Sequence, residues 1–538
     1  MLTNHEISRL GSLLSAAAGG GLLWSAFPNI NFIFGAPLGT MLLLFALGRN
    51  SATWNLLVGT VFGLTFFAPL LWWASVSVGP IPWVALSITK ALYLGVVGAL
   101  FTWARRGRVI SISPGWQAGA FTVLWAGMEE VGAYFPFGGF PWGRVAFSQV
   151  DTWLVRYAAL GGTVAVTLAT VGIGALAWAT INYISAGRGL KAALAGWGAA
   201  VVVLAATIIP LPSQAESGSL SVAAIQGNVP DRGLDAFATA REVVQNHRDE
   251  TLNFAEAGAG TVDIVLWPEN GADIDPRKDA LSAQLINESA TAAQAPLLLG
   301  TIEYPTNGGR YNLMLLWEAE SQVLGEYRKQ RPAPFAEYVP MRDFARLFSD
   351  AVDRVTTDMI PGTEPAIMAL PVERLGRDVQ LAIGICFEVA FDDVLREGVA
   401  LGGEILIVPT NNANFGRTAE STQQLAMTRL RAIEHGRSAV QISTVGVSGI
   451  VAPNGVLMSS TGLFTQDYLT ATLPLRTTLT LATKLGFWPA LFTVALAIAV
   501  VISGAAGAVK QPSAATKRTG SAAGNGRPAA ATRQKKGK

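Results

Sequence analysis

The chain has 538 residues, of which 51% are hydrophobic and only 14% are charged, and its formal net charge is +2. A hydrophobic share this large with so few charges is typical of a membrane protein and argues against a wholly soluble chain. The near-neutral charge gives no electrostatic signal for a nucleic-acid partner. The histidines His5, His247 and His435 are scattered, and no nucleotide-phosphate loop is present, so we expect neither a metal nor another cofactor.

The amino-terminal part contains apolar windows long enough to cross a bilayer at about 20 residues each. Seven of them lie near residues 9–27, 30–48, 53–76, 82–104, 115–135, 153–184 and 191–210, and an eighth lies near 484–506. The first window has a short polar start and an apolar core, so a signal peptide is the alternative; the six windows that follow favour a retained anchor. We predict a seven-span region over residues 1–215 and a final span over residues 479–507.

Basic residues in the loops predict the orientation, because the cytoplasmic side carries the excess of Lys and Arg. With seven spans, one side collects Arg9, Arg49, Arg105, Arg106, Arg108, Arg188 and Lys191. We therefore expect a multi-pass protein of the cytoplasmic (inner) membrane with both termini in the cytoplasm and residues 216–478 outside. The tail, residues 508–538, is rich in Gly, Ala, Ser, Pro and basic residues and is predicted to be a disordered cytoplasmic extension.

The fifth window ends with two acids, Glu129 and Glu130. An acid inside the membrane is costly and thus a candidate for function, whereas solvation at the interface is the alternative. The outside loop that follows contains Gly139-Phe-Pro-Trp-Gly-Arg144, and aromatic rings of this kind commonly settle at the membrane interface.

Residues 216–478 have the composition of an ordinary soluble domain. Strands are predicted near residues 220–226, 261–266, 295–303, 311–317, 380–386 and 404–408, and helices near 235–253 and 423–436. Alternation of strands and helices predicts an α/β sandwich.

Three segments carry residues with complementary chemistry. The apolar run from Thr261 closes with Glu269, and the apolar run from Gln380 ends in Cys386, the single cysteine of the chain. Lys329 lies in a loop punctuated by prolines that follows a strand-like start at Gly325. A thiol is mostly protonated near neutral pH, so it needs a base such as Glu269 to become a nucleophile. An ammonium such as that of Lys329 stabilises an oxyanion. The set therefore fits acyl transfer through a thioester.

Each member of this set also has a simpler interpretation. A lone cysteine is most often a small buried hydrophobic residue. Glu269 alone fits a solvated acid at a strand end, and Lys329 alone fits a loop cation. The joint pattern of Pro268-Glu269, Lys329 followed eight residues later by Glu337, and Cys386-Phe387-Glu388 is what favours catalysis.

The order Glu, Lys, Cys resembles the nitrilase superfamily, and with the membrane spans the chain resembles the apolipoprotein N-acyltransferases, its integral-membrane branch. The resemblance covers nearly the whole chain. It rests on Gln226-Gly-Asn-Val-Pro230, Trp267-Pro-Glu269, Pro334-Phe-Ala-Glu337-Tyr-Val-Pro340, Cys386-Phe-Glu388, Thr410-Asn-Asn-Ala-Asn-Phe-Gly416 and the Gly139 to Arg144 loop. It implies a membrane bundle of about eight helices joined to a nitrilase-like α-β-β-α sandwich.

The resemblance also implies a two-step reaction and a set of site residues. Cys386 takes an acyl chain from a phospholipid, and the amine of a diacylated apolipoprotein accepts it; Glu269 is the base and Lys329 stabilises the oxyanion. Glu337 and Glu388 are expected to support this triad, and the protein is expected to be a monomer without a cofactor. The residues expected to contact substrate are Trp142, Asn228, Tyr338, Phe387, Asn412 and Asn414.

The chain departs from the family pattern at Ala336, Phe387, Asn412 and Asn414, where Gly, Tyr, Asp and Trp are usual. Two alternatives also remain open. One is a membrane-tethered nitrilase-type amidohydrolase, which passes the thioester to water with the same triad. The other is a non-enzymatic scaffold that binds lipoproteins. The multiple spans and the Phe-Pro-Trp loop favour lipid substrates over those of an amidohydrolase, and they do not decide against the scaffold.

Overall fold

The computed structural model describes residues 7–229, 241–258 and 260–509. The amino-terminal half is helical. Local sequence explains several helix starts: Ser51 and Ser113 each accept a backbone N–H of the first turn through their hydroxyl groups. The helices are α1 (Arg9–Ser25), α2 (Gly35–Ala46), α3 (Ala52–Leu70), α4 (Trp72–Val78), α5 (Pro80–Ala104), α6 (Pro114–Tyr134), α7 (Ala158–Ser185) and α8 (Gly189–Thr207).

Five helices in the described part of the chain are long and apolar enough to cross a membrane. These are α3, α5, α7 together with the short turn before it, α8, and a carboxy-terminal helix, α15 (Trp488–Val509). The predicted windows near residues 9–27, 30–48 and 115–135 coincide with α1, α2 and α6, which do not meet that criterion. The count of eight spans therefore stays a prediction, as do the domain boundaries.

The remaining elements form the α/β half. The strands are β1 (Ser219–Gln226), β2 (Ile264–Leu266), β3 (Leu297–Glu303), β4 (Tyr311–Glu318), β5 (Gln322–Arg328), β6 (Ile367–Val372), β7 (Arg377–Ile383), β8 (Ile405–Thr410), β9 (Ala439–Ser443), β10 (Gly449–Val451), β11 (Leu457–Ser460) and β12 (Asp467–Pro474). The helices are α9 (Glu242–Glu256), α10 (Ala280–Ala293), α11 (Arg342–Arg346), α12 (Val394–Ala400), α13 (Glu420–His435) and α14 (Leu481–Leu485).

Two six-stranded sheets pack face to face. One has the order β12-β1-β2-β3-β4-β5, and the other has the order β11-β10-β9-β8-β7-β6. The central pairs β1–β2–β3 and β7–β8–β9 are parallel, and the outer pairs are antiparallel. Parallel strands are covered on both faces, which agrees with the full burial of every residue of β8. The predicted α-β-β-α sandwich is confirmed.

Apolar residues from both sheets fill the space between them, including Leu220, Leu381 and Ile405. Helices α9 and α10 cover the outer face of the first sheet. On the second sheet, α12 and α13 belong to a hydrophobic cluster that continues into the membrane helices. Helix α13 therefore lies between the sandwich and the membrane bundle, and it contacts both.

Two predicted segments fall partly or wholly outside the described residues. The helix expected over residues 235–253 is represented by α9, and its first residues are not described. The basic tail from residue 510 onward lies outside the described residues as well. The other predicted strands and the helix near 423–436 are present with shifted ends; β7 ends at Ile383 and α13 begins at Glu420.

Candidate active site

Three segments that follow strands of the sandwich bring Glu269, Lys329 and Cys386 together. Glu269 follows β2 after Trp267 and Pro268, and Lys329 follows β5 directly. The Nζ atom of Lys329 lies 3.1 Å from Glu269 Oε1, and both side chains are buried. The Lys329 ammonium and the Glu269 carboxylate both act electrostatically on the Cys386 thiol. One pocket of the sandwich thus contains a carboxylate, an ammonium and a sulfur atom.

The prediction that Cys386 ends its strand is wrong. Cys386 lies three residues beyond the end of β7 and begins a short 3₁₀ turn, Cys386–Ala390. Its φ angle is 53°, in the left-handed region that non-glycine residues seldom occupy. Such a conformation costs about 1–3 kcal/mol and persists only where the surroundings hold it. The sulfur is therefore presented by a strained turn that the neighbouring contacts stabilise.

Glu388 supplies much of that support. Its carboxylate accepts the backbone N–H of Ile385 at 2.7 Å, that of Gln330 at 2.7 Å and that of Arg331 at 2.9 Å. The Tyr327 hydroxyl also donates to it at 3.0 Å. Full burial raises the pKa of Glu388 to about 7. Glu388 therefore connects the turn of Cys386 to the loop that follows Lys329.

A second carboxylate completes the surroundings of Lys329. Glu337 Oε1 lies 2.7 Å from Lys329 Nζ, and Glu337 Oε2 accepts the Ala333 N–H at 2.7 Å. Burial lowers the pKa of Lys329, but the carboxylates of Glu269 and Glu337 outweigh burial, so this pKa lies well above its usual range. Lys329 is therefore a permanent cation in the pocket.

Two neighbours fix the orientation of the Glu269 carboxylate. The Asn312 side-chain amide donates to Oε1 at 2.5 Å, and the Asn411 backbone N–H donates to Oε2 at 2.9 Å. Asn312 lies inside β4, where nothing in the sequence pattern marks it as different from other buried polar residues. The sequence therefore does not predict that Asn312 contacts Glu269.

The Cys386 thiol is protonated in this setting. Burial raises the pKa of Cys386 well above its usual range, the Glu269 carboxylate raises it further, and the Lys329 ammonium lowers it. The side chain remains partly exposed. A base is therefore needed to form the thiolate. The nearby Glu269 carboxylate is a group that can accept the thiol proton.

Aromatic residues of the membrane half meet the site next to the sulfur. The Phe387 ring lies 6.3 Å from that of Trp142 at an interplanar angle of 12°, and 5.3 Å from that of Phe140. The Trp142 ring is buried, and its Nε1–H donates to Gln423 Oε1 at 2.7 Å. The Tyr338 hydroxyl donates to the Phe137 carbonyl at 2.8 Å.

The three asparagines expected to contact substrate lie elsewhere around the site. Asn412 is buried, and both its amide nitrogen and its oxygen are hydrogen-bonded within the protein. Asn414 is half-buried in the turn Ala413–Phe415. Asn228 has a φ of 63°, and its side-chain amide donates to the Phe464 carbonyl at 3.4 Å. Substrate contact by these residues stays a prediction.

A buried cluster of charges, the junction cluster, connects the membrane half to the chain just after Cys386. Its Arg144 donates to Glu130 at 2.6 Å and to Asp392 at 2.5 Å, and Arg431 donates to the other oxygen of Asp392 at 2.7 Å and to Glu434 at 2.5 Å. All five side chains are at least 90% buried. The sequence marks Arg144 and Glu130 separately as candidates, but it does not indicate that they pair with each other or with Asp392.

A glycine in α7 makes room for this cluster. Gly162 has a φ of 64°, and a Cβ atom there would lie 2.7 Å from the Glu434 carboxylate. Only glycine fits this close approach without strain. The glycine therefore allows the backbone of α7 to lie close to the Glu434 carboxylate.

Within the described residues, no group of three or more His, Cys, Asp or Glu side chains is arranged to hold a metal ion. His247 and His435 are fully buried in separate places, and His5 lies outside the described residues.

Two family models match the chain. One, described as the apolipoprotein N-acyltransferase N-terminal domain, matches residues 19–176, and the carbon-nitrogen hydrolase model matches residues 221–482. An apolipoprotein N-acyltransferase of Mycolicibacterium smegmatis is 37% identical over 88% of this chain and 82% of its own. Another, from Photobacterium profundum, is 26% identical over 91% and 94%. An amidase of the nitrilase superfamily from Nesterenkonia aligns at 18% identity and a TM-score of 0.36 over 48% of this chain and 92% of that one.

Proposed function

The chain belongs to the apolipoprotein N-acyltransferases, and from that membership we propose which residues perform the reaction and with which lipids. As a member of the family it is an acyltransferase that N-acylates lipoproteins at a membrane. The proposal is that Cys386 carries the acyl chain as a thioester, that a phospholipid donates it, and that the acceptor is the α-amine of an S-diacylglyceryl cysteine.

One observation carries this proposal. Phe387, the residue next to the sulfur, packs on Phe140 and Trp142 of the membrane half. The reacting sulfur therefore lies beside the aromatic loop that joins two membrane helices. An ester and an amine that are both anchored in a bilayer can reach such a site while their hydrocarbon chains stay in the membrane.

In the first step, the Glu269 carboxylate takes the proton of the Cys386 thiol and the sulfur attacks the ester carbonyl. The Lys329 ammonium stabilises the oxyanion of the tetrahedral intermediate. The intermediate collapses by breaking the carbon–oxygen bond of the ester, and the proton on Glu269 passes to the departing oxygen. The products are an acyl thioester on Cys386 and a lysophospholipid.

In the second step, the α-amine attacks the thioester carbonyl and Glu269 accepts a proton from the nitrogen. Lys329 stabilises the second oxyanion as it did the first. The carbon–sulfur bond breaks, the sulfur recovers the proton from Glu269, and the acyl chain leaves as an amide. Glu337 holds the Lys329 ammonium, and Glu388 holds the turn of Cys386, through the contacts described above.

For the cellular setting, we propose a multi-pass protein of the cytoplasmic membrane with the α/β half on the outer side. The excess of Lys and Arg on one set of loops supports this orientation. Both lipid substrates would then approach from the outer leaflet. We propose a monomeric enzyme, because one chain supplies every residue of the mechanism.

The test is a transfer assay with the purified full-length protein, a phospholipid labelled in one acyl chain, and a synthetic S-diacylglyceryl-cysteine peptide. We expect the peptide to gain one labelled acyl chain for each lysophospholipid released, and the Cys386→Ala variant to release none. Labelled free fatty acid with an unchanged peptide would instead identify a hydrolase and overturn the proposal. Transfer by the Cys386→Ala variant would overturn the role of the sulfur.

A further inference from the structure

The side chain of Gln424, on α13, points an amide at the sulfur of Cys386. Its Nε2 atom lies 3.5 Å from Cys386 Sγ, which is within hydrogen-bonding range for sulfur. The amide oxygen accepts the Asn412 Nδ2–H at 2.9 Å and faces the Thr410 hydroxyl at 3.0 Å. Because the Asn412 amide, which can only donate through its nitrogen, holds the oxygen, the N–H of the Gln424 amide is the end that faces the sulfur.

A buried network behind Gln424 fixes Asn412 in turn. Asn412 Nδ2 also donates to Glu420 Oε2 at 2.7 Å, and Asn412 Oδ1 accepts the Ser443 hydroxyl at 2.6 Å. All of these side chains are buried. Burial raises the pKa of Glu420 to about 8, so Glu420 is neutral at pH 7 and adds no negative charge near the thiolate.

We propose that Gln424 is a further catalytic residue of the acyl transfer, because its amide N–H donates to Cys386 Sγ and stabilises that atom whenever it carries negative charge. The sulfur is anionic twice, when Glu269 has taken its proton and when the amine expels it from the thioester. Asn412 and Glu420 are positioning residues that aim the amide. This inference rests on the proposed role of Cys386 as the nucleophile.

The titratable groups that face the sulfur come from several elements. Glu269 and Lys329 lie at the ends of β2 and β5, Glu337 lies in the loop after Lys329, and Glu420 lies on α13. Three of these four are acids: the carboxylates of Glu269 and Glu337 disfavour a thiolate, Glu420 does so only when it ionises above pH 8, and only Lys329 favours the thiolate. A neutral donor therefore adds to the stabilisation that a single cation supplies.

The test measures the thiol itself in the purified full-length protein without any lipid substrate. Cys386 is the only cysteine, so intact mass after iodoacetamide treatment reports its alkylation rate, which is followed from pH 6 to 11. In Gln424→Met we expect the midpoint of the rate–pH curve to rise by about one pH unit, because the thiolate loses a donor. In Gln424→Glu, which places an acid against the sulfur, we expect a larger rise.

The shape of the curve separates this effect from a change in access. A more basic thiolate is also more nucleophilic, so below the midpoint the rate should fall only about threefold, and above it the rate should equal or exceed that of the wild type. Reduced access would lower the rate by one factor at every pH and leave the midpoint in place. The same midpoint in wild type and Gln424→Met overturns the inference.

The matched control is Gln441→Met. Gln441 is a buried glutamine on β9 whose amide binds the Val447 carbonyl and the Thr428 hydroxyl. We expect its midpoint to equal that of the wild type; an equal rise in both Met variants would point to loosened packing and overturn the inference. If Gln424→Met fails to fold, Gln424→Asn, whose shorter amide falls short of the sulfur, replaces it. Absence of acyl transfer would overturn the proposed function but leave this thiol measurement readable.

Discussion

Two buried groups of charges flank the short segment from Cys386 to Asp392, and they are built differently. The catalytic cluster, made of Glu269, Lys329 and Glu337, lies at the start of the segment, beside the sulfur. The junction cluster lies at the end of the segment, where Arg144 and Arg431 each bind one carboxylate oxygen of Asp392. The first group acts in the proposed mechanism, and the second connects the segment to the membrane half.

The choice of cation marks the difference. Lys329 presents a single ammonium, a point charge that can also turn a hydrogen toward an oxyanion. The Arg431 guanidinium binds several groups at once. It donates to the carboxylates of Asp392 and Glu434 and also to the Val389 and Ala390 carbonyls, at 2.9 Å each. A planar guanidinium that is saturated in this way holds backbone in one place. The proposed nucleophile, Cys386, therefore begins a segment whose other end, at Asp392, is held by the junction cluster.

The largest expected effect falls on the catalytic cluster. Lys329→Met removes the oxyanion stabiliser and leaves Glu269 and Glu337 without their shared cation, so we expect acyl transfer to fall by about 1,000-fold or more. Steady-state transfer rates measure this. Lys278→Met is the control, because Lys278 is an exposed lysine that binds the Tyr304 carbonyl. A Lys329→Met rate within tenfold of the wild type would contradict the assigned role.

The next effect falls on the junction cluster and concerns stability first. Arg144→Met leaves the Glu130 and Asp392 carboxylates buried without that partner, a loss that typically costs about 3–5 kcal/mol. Thermal unfolding should therefore begin at a clearly lower temperature than in the wild type.

A second ion pair across the same junction provides the control for Arg144. Arg429 of α13 lies 2.8 Å from Asp151, whose side chain is 45% exposed. Because exposed pairs contribute about 0–1 kcal/mol, Arg429→Met should change the melting temperature little. Equal losses in the two variants would mean that the junction cluster has no special role in attachment.

A third effect concerns the pH dependence of stability. Burial raises the pKa of Glu420 to about 8, against 4.5 as its usual value, so this carboxyl contributes stability below pH 4.5 that is lost as the pH rises towards 8. Glu420→Gln keeps a neutral acceptor for Asn412 and removes that loss. The melting temperature of the variant relative to the wild type should rise between pH 5 and 8 and level off above. A difference that is flat across this range would contradict the raised pKa.

The smallest expected effect lies where the two halves touch at the surface. Tyr338→Phe removes one hydrogen bond to the Phe137 carbonyl, which is worth about 1 kcal/mol. We expect a small rise in KM for the lipid donor with kcat within about twofold of the wild type. A large fall in kcat would mean that the Tyr338 hydroxyl takes part in the reaction.

The sequence was sufficient to predict the sandwich and the meeting of Glu269, Lys329 and Cys386, because Glu269 and Cys386 follow apolar strands and the order of all three residues resembles that of the nitrilase superfamily. The residues around them were not predictable in the same way. Asn312 lies within a buried strand, and Gln424 lies on a helix that begins at Glu420, before the predicted start at residue 423. Periodicity shows that a polar residue is buried but not which atom it faces.

The junction cluster shows a second limit. Arg144 and Asp392 are 248 residues apart in the chain, and no local pattern connects a loop between membrane helices with a turn of the sandwich. Only the packing of α13 between the two halves brings these charges together. Five of the apolar windows coincide with described helices that are long and apolar enough to cross a membrane, but the windows carried no information on this contact.

The central claim is that the Cys386 sulfur carries the acyl chain, and intact mass spectrometry after incubation with phospholipid alone tests it most directly. We expect the wild-type protein to gain the mass of one acyl chain, hydroxylamine to remove it, and the Cys386→Ala protein to gain nothing. An unmodified wild-type protein that still transfers acyl chains to lipoprotein, or an adduct that persists in the Cys386→Ala protein, would contradict the account.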